Sequence, residues 1–192
     1  ESGTLFVLLL LVKGVAGLGQ GGLLLWVPLY LSESLGMDSI GIGVHVALLT
    51  GVGIATGPLF GYLSDRIGRI PVVVIVLGGK AIIAGLLAIM GTGVMLTILV
   101  ACLGAFMFGV NSLIQAWALD LAQGRKLEGT VMGVMYGTNM LFQGFAPLML
   151  GFLIAAMGFS ILFWYVAGMN LAGVVFVAAA FVFAQGARRP TR

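Results

Sequence analysis

The sequence predicts an all-α membrane protein of six transmembrane helices, and three observations carry that reading. Hydrophobic residues make up 61% of the 192-residue chain and charged ones only 8%, with a mean hydropathy of +1.20. That is too little polar surface to cover a globule in water, so lipid is the expected solvent. A span needs about 20 apolar residues, and six such runs fit at 4–31, 40–62, 71–90, 94–122, 129–156 and 159–185. The third observation is charge asymmetry. If six spans alternate, Arg66, Arg69, Arg125, Lys126, Arg188, Arg189 and Arg192 all fall on one side and no Lys or Arg falls in the loops of the other. Both termini are therefore expected in the cytoplasm of a multi-pass protein of the plasma or bacterial inner membrane.

Little chain remains for anything but spans, so residues 1–192 read as one six-helix bundle with short connections: Ser32–Ser39, the stretch Gly61–Pro71, Gly91–Gly93, Gln123–Glu128 and Met157–Gly158. Residue 1 is Glu rather than Met, and the first apolar run is too long and too glycine-rich for a signal-peptide core. A processed or excised fragment is the expectation, with a missing N-terminal partner. The single cysteine, Cys102, lies in an apolar run and reads as a small buried hydrophobe. The 31 glycines suit membrane helices that pack backbone to backbone. Gly53, Gly57 and Gly61 recur every fourth residue and Gly137, Gly144 and Gly151 every seventh, so each set is expected to line a face that a neighbour approaches.

Polar side chains inside the spans are few. Lys13, Gly17 and Gln20 are spaced by four and three residues, which puts a charge, a gap and an amide on one helical face. At 1.5 Å per residue, Lys13 lies about 13 Å from the start of its run, too deep to face lipid without snorkelling. Asn111 with Gln115, and Asn139 with Gln143, repeat an i,i+4 polar pair in the fourth and fifth spans. Lys13, Gln20, Asn111, Gln115, Asn139 and Gln143 are therefore the candidate lining of a polar cavity. The competing reading is that they hold the helices together by interhelical hydrogen bonds worth about 1 kcal/mol or less each. Lys80 reads as snorkelling or locally paired, His45 as structural, and Trp26 with Tyr30 as an interfacial aromatic belt. Tyr136, about a turn from Asn139, is a further candidate for the cavity wall.

The stretch GYLSDRIGRIP, Gly61 to Pro71, is the sequence's one charged cluster between long apolar runs and marks a tight turn at the membrane surface. It resembles the signature loop of the major facilitator superfamily: Gly, three residues, Asp-Arg, any residue, Gly-Arg. Gly61, Leu63, Asp65, Arg66, Gly68 and Arg69 match, while Ile70 stands where a further basic residue is usual. The resemblance implies half of a major-facilitator fold, most like helices seven to twelve, built as inverted repeats at about 1–91 and 92–192. GPLFGYL at 57–63 and APLMLGFL at 146–153 are loose echoes in that sense. It also implies a conformational latch of Gly61, Asp65, Arg66, Gly68, Arg69 and Asp120, with Asp120 paired to Arg69 and Asp65 facing a helix N-terminus.

An enzyme is not expected: there is no Gly-x-Ser-x-Gly, no GxxxxGK[ST] and no metal-ligand cluster in a chain with one His and one Cys. No cofactor, metal or nucleic-acid partner is expected. The resemblance implies transport of a small solute by alternating access, in a lipid bilayer, with a second six-helix half that is either an N-terminal half or a second copy. The alternative is a structural or regulatory membrane module that transports nothing.

Overall fold

The computed structural model describes residues 2–90, 92–122 and 126–186. Arg125, Arg188, Arg189 and Arg192, part of the charge asymmetry, lie outside the described residues. The described chain forms seven helices: α1 (Ser2–Glu33), α2 (Ser39–Ile67), α3 (Arg69–Met90), α4 (Gly93–Met107), α5 (Gly109–Ala122), α6 (Glu128–Met157) and α7 (Ile161–Gly186). Taken as spans they are six, because α4 and α5 together make one apolar crossing, Gly93–Asp120. This is the expected multi-pass, all-helical architecture.

Two boundaries differ from the hydropathy reading. The fourth span is irregular for one residue, Phe108, between α4 and α5, where the backbone stays right-handed at φ −96° and ψ −17°. The Thr56 hydroxyl of α2 donates to the Ala105 carbonyl at 2.5 Å, and an unbroken helix would offer that carbonyl to the Gly109 N–H. A side chain inserted into the ladder is a recognised cause of helix interruption. The charged stretch after the second span is also shorter than expected, because α2 runs on to Ile67 and α3 starts at Arg69. Gly68 alone makes the turn, at φ +94°, with its N–H donating to Ser64 O at 3.0 Å. A left-handed residue between two helices needs a glycine, and at the bilayer edge the polar residues on either side can stay helical.

α1 packs on α6 and α7, α4 packs on α2 and α3, and α3 packs on α7. Apolar side chains gather into two cores stacked along the bundle. One contains Leu23, Val27 and Leu31 of α1 with Leu96, Leu103, Leu150 and Phe163. The other contains Leu9, Val12, Val72, Leu77, Leu113, Trp117 and Val177. Between them runs a layer of buried polar residues: Lys13 and Gln20 on α1, Lys80 on α3, Asn139 on α6 and Asn170 on α7, with half-buried Asn111 on α5.

The glycine stripes do not all serve helix contacts within the bundle. Gly53 meets the Gly104 backbone and Phe108, and Gly151 meets Trp26, but Gly57, Gly61, Gly137 and Gly144 have open space beside them. They lie on α2 and α6, the two spans least covered by the rest of the chain. Cys102 is exposed on α4 rather than buried; an apolar thiol loses nothing by facing a lipid solvent. Asp38 caps α2 by accepting from Gly41 N at 3.1 Å.

Candidate functional site

The polar layer contains a hydrogen-bonded cluster drawn from three helices. Lys13 Nζ donates to both the backbone carbonyl of Asn111 (3.1 Å) and its Oδ1 (3.0 Å). Asn111 Nδ2 donates to Gln20 Oε1 at 2.7 Å. Asn139 Nδ2 lies 3.3 Å from Asn111 Oδ1 and 3.4 Å from the Lys13 carbonyl. Asn111 is thus the hub, and its position three residues beyond the irregular residue Phe108 sets it at the start of α5.

Local sequence explains how α1 and α6 come close enough to share the cluster. A Cβ on Gly17 would lie 2.8 Å from the Asn139 carbonyl oxygen, nearer than any real side-chain carbon sits, and one on Gly21 would collide with the Gln143 backbone. Glycine at both positions lets the two backbones touch, which is the usual device for membrane helix association. The close approach places Asn139 directly over the Lys13 turn.

Lys13 is only 1% exposed. Its ammonium is therefore fully engaged inside the bundle and reaches no open surface, contrary to a snorkelling lysine. No carboxylate takes part in the cluster among the described residues, so the positive charge is held by dipoles alone, at a cost of several kcal/mol on insertion scales. Gln115 and Gln143 are half-exposed at its edge and have no hydrogen bond to it among the described residues. Of the six candidate cavity residues, four meet directly and two flank them. Tyr136 is exposed and stands outside the cluster.

The signature turn forms a second charged group at one end of the bundle. Arg69 Nε donates to Asp120 Oδ2 at 2.6 Å, and Arg69 Nη1 lies 3.8 Å from Asp65. Asp65 stands in the last turn of α2, where the helix dipole disfavours a carboxylate, and Arg69 in the first turn of α3 offsets it. Arg66 does not join them; its guanidinium lies 4.7 Å over the Tyr62 ring, a cation–π contact. Gly61 contributes a carbonyl that accepts from Ser64 Oγ at 2.7 Å.

His45, read as structural, and Asn170, which the sequence reading missed, are both part of the interior. His45 is buried, with Nδ1 2.8 Å from Gly41 O and Nε2 3.0 Å from Thr97 Oγ1, tying α2 to α4. Asn170 is buried on α7 between Met169 and Leu171 in an apolar span, and donates to Val166 O at 2.7 Å. Its amide in an apolar span was the available signal.

These features define a polytopic helical membrane protein with a charged polar site at mid-depth and an arginine–aspartate turn at one end. The chain belongs to the Major Facilitator Superfamily, whose family profile matches residues 9–192. It is similar to an uncharacterized MFS-type transporter of Enterobacter sp. (strain 638), 29% identical over 157 residues, covering 76% of this chain and 40% of that protein. It is also similar to a putative metabolite transport protein of Haemophilus influenzae, 27% identical over 154 residues, covering 79% of this chain and 37% of that protein. The chain spans about two-fifths of the length of these relatives.

Proposed function

We propose that this chain is one six-helix half of a secondary transporter that moves a small solute by alternating access, with a second half, an N-terminal one or another copy, completing the cavity. The observation that carries the reading is the Lys13–Asn111–Gln20–Asn139 cluster between the two apolar cores, flanked by half-exposed Gln115 and Gln143. A module that only held helices together would not need an uncompensated charge there. The pairing of spans supports inverted repeats: the first span packs on the fifth and sixth as the fourth packs on the second and third. Open glycine faces on α2 and α6 suit a second half docking there. The signature turn and both termini are cytoplasmic in this reading, by the charge asymmetry.

The solute is an anion or a neutral polar molecule. Both lysines of the layer, Lys13 and Lys80, face no carboxylate among the described residues, and the field of Lys13 reaches a solute through the amide of Asn111. The test uses the complete transporter in proteoliposomes with a panel of anionic, neutral and cationic solutes. Lys13→Gln is expected to abolish anion uptake selectively while Lys13→Arg retains part of it. Equal activity of both variants toward every solute removes Lys13 from the site, and no uptake of any solute by the wild type overturns the transporter reading.

A further inference from the structure

Lys80 and Asn170 belong to the polar layer but not to the Lys13 cluster. Each is 1% exposed. Lys80 lies about 16 Å along α3 from Arg69, and no hydrogen bond or ion pair involves it among the described residues. The Nδ2 of Asn170 is used by Val166 O, and its Oδ1 is buried with no partner.

The register of α3 against α7 brings the two residues to one level of the bundle. Leu77 packs on Gly173, where a Cβ would lie 3.2 Å from the Leu77 side chain. The two helices run antiparallel, so three residues onward in α3 and three back in α7 bring Lys80 level with Asn170. Each sits between a residue of one apolar core and a residue of the other: Leu77 and Ala84 around Lys80, Ala167 and Val177 around Asn170. On the far side Asn170 Nδ2 is within 3.4 Å of where a Gly19 Cβ would be, next to Gln20 of the Lys13 cluster.

We propose that Lys80 and Asn170 form a second buried polar site, which holds one water molecule. The water accepts a hydrogen bond from Lys80 Nζ and donates one to Asn170 Oδ1. The chemistry selects the occupant. Lysine can only donate and the free amide oxygen can only accept, so the bridge must do both. A halide could accept from Lys80 but would leave Asn170 Oδ1 unpaired. A water between two such groups satisfies both, as buried waters in proteins do. The site ties α3 to α7 through polar contacts at mid-membrane and extends the polar layer across α1 from the Lys13 cluster.

Two measurements on the complete purified protein in detergent test this. The first is thermal melting of Asn170→Asp with and without Lys80→Met. If the residues face each other, the new carboxylate pairs with Lys80, and Asn170→Asp alone melts within a few degrees of wild type. Combined with Lys80→Met, the charge is left unpaired and melting falls by roughly 10 °C. An equal loss in both backgrounds overturns the juxtaposition. The second is radiolytic hydroxyl labelling, which marks side chains beside bound water. Leu77, fully buried against Gly173, is expected to be labelled in wild type and to lose that label several-fold in Lys80→Met/Asn170→Leu. An unlabelled Leu77 in the wild type overturns the water.

Discussion

Lys13 and Asn111, 98 residues apart, are joined twice: the ammonium reaches both the carbonyl and the side-chain oxygen of the asparagine. These two hydrogen bonds to one residue make Asn111 the positioned member of the site and Lys13 the group that positions it.

The consequence is an asymmetry in stability. Lys13→Met removes a buried charge together with its bonds and is expected to change stability by less than about 1 kcal/mol. Asn111→Leu keeps the charge and the backbone acceptor but removes the side-chain one, a loss of about 2–3 kcal/mol. Thermal melting of the two variants measures the difference, and an equal loss shows that the charge is compensated by something other than Asn111.

The glycines divide into two groups with different expected phenotypes. Gly17→Ala drives a methyl against the Asn139 carbonyl and is expected to cost about 1–3 kcal/mol, with loss of transport through displacement of α6. Gly57→Leu and Gly144→Leu meet open space in this chain. They are expected to leave helix content unchanged and to weaken association with the second half, measured by co-purification of separately tagged halves.

Arg69 and Asp120 are partly exposed, at 28% and 44%, so Asp120→Asn should cost only about 0.5–1 kcal/mol of stability. As a hypothesis, the larger effect is on the balance of conformers, because the pair ties the α2–α3 turn to the end of α5 on one side of the membrane. Cysteine accessibility from that side should rise in Asp120→Asn and return in the charge swap Arg69→Asp/Asp120→Arg. No change in either variant refutes a latch.

Topology is checked after replacing exposed Cys102 with serine. Ile67 and Ser34 are both exposed and lie at opposite ends of the bundle. In intact cells an impermeant thiol reagent should label Ser34→Cys and not Ile67→Cys. Ser64, although in the same turn, is buried and would be protected on either side. The reverse pattern inverts the orientation.

By itself, the sequence determined the six spans, the family and the places where polarity enters them. Apolar length and isolated polar residues are local properties, and the lipid solvent makes them decisive. The resemblance of Gly61–Arg69 to the family's signature loop also implied the Arg69–Asp120 pair. Only the tertiary structure decided which polar groups meet. Lys13 reads as cavity-lining or snorkelling until Asn111 of α5 arrives beside it, and Lys80 reads as snorkelling or locally paired until the bundle closes over it at 1% exposure. The Thr56 hydroxyl of α2 reaches the Ala105 carbonyl just before the irregular residue Phe108, and hydropathy along one span cannot register a group donated by another. Regular spacing likewise did not separate Gly17, which abuts a neighbouring backbone, from Gly57, which has open space where a side chain would stand. Spacing describes one helix, and contact is a property of two.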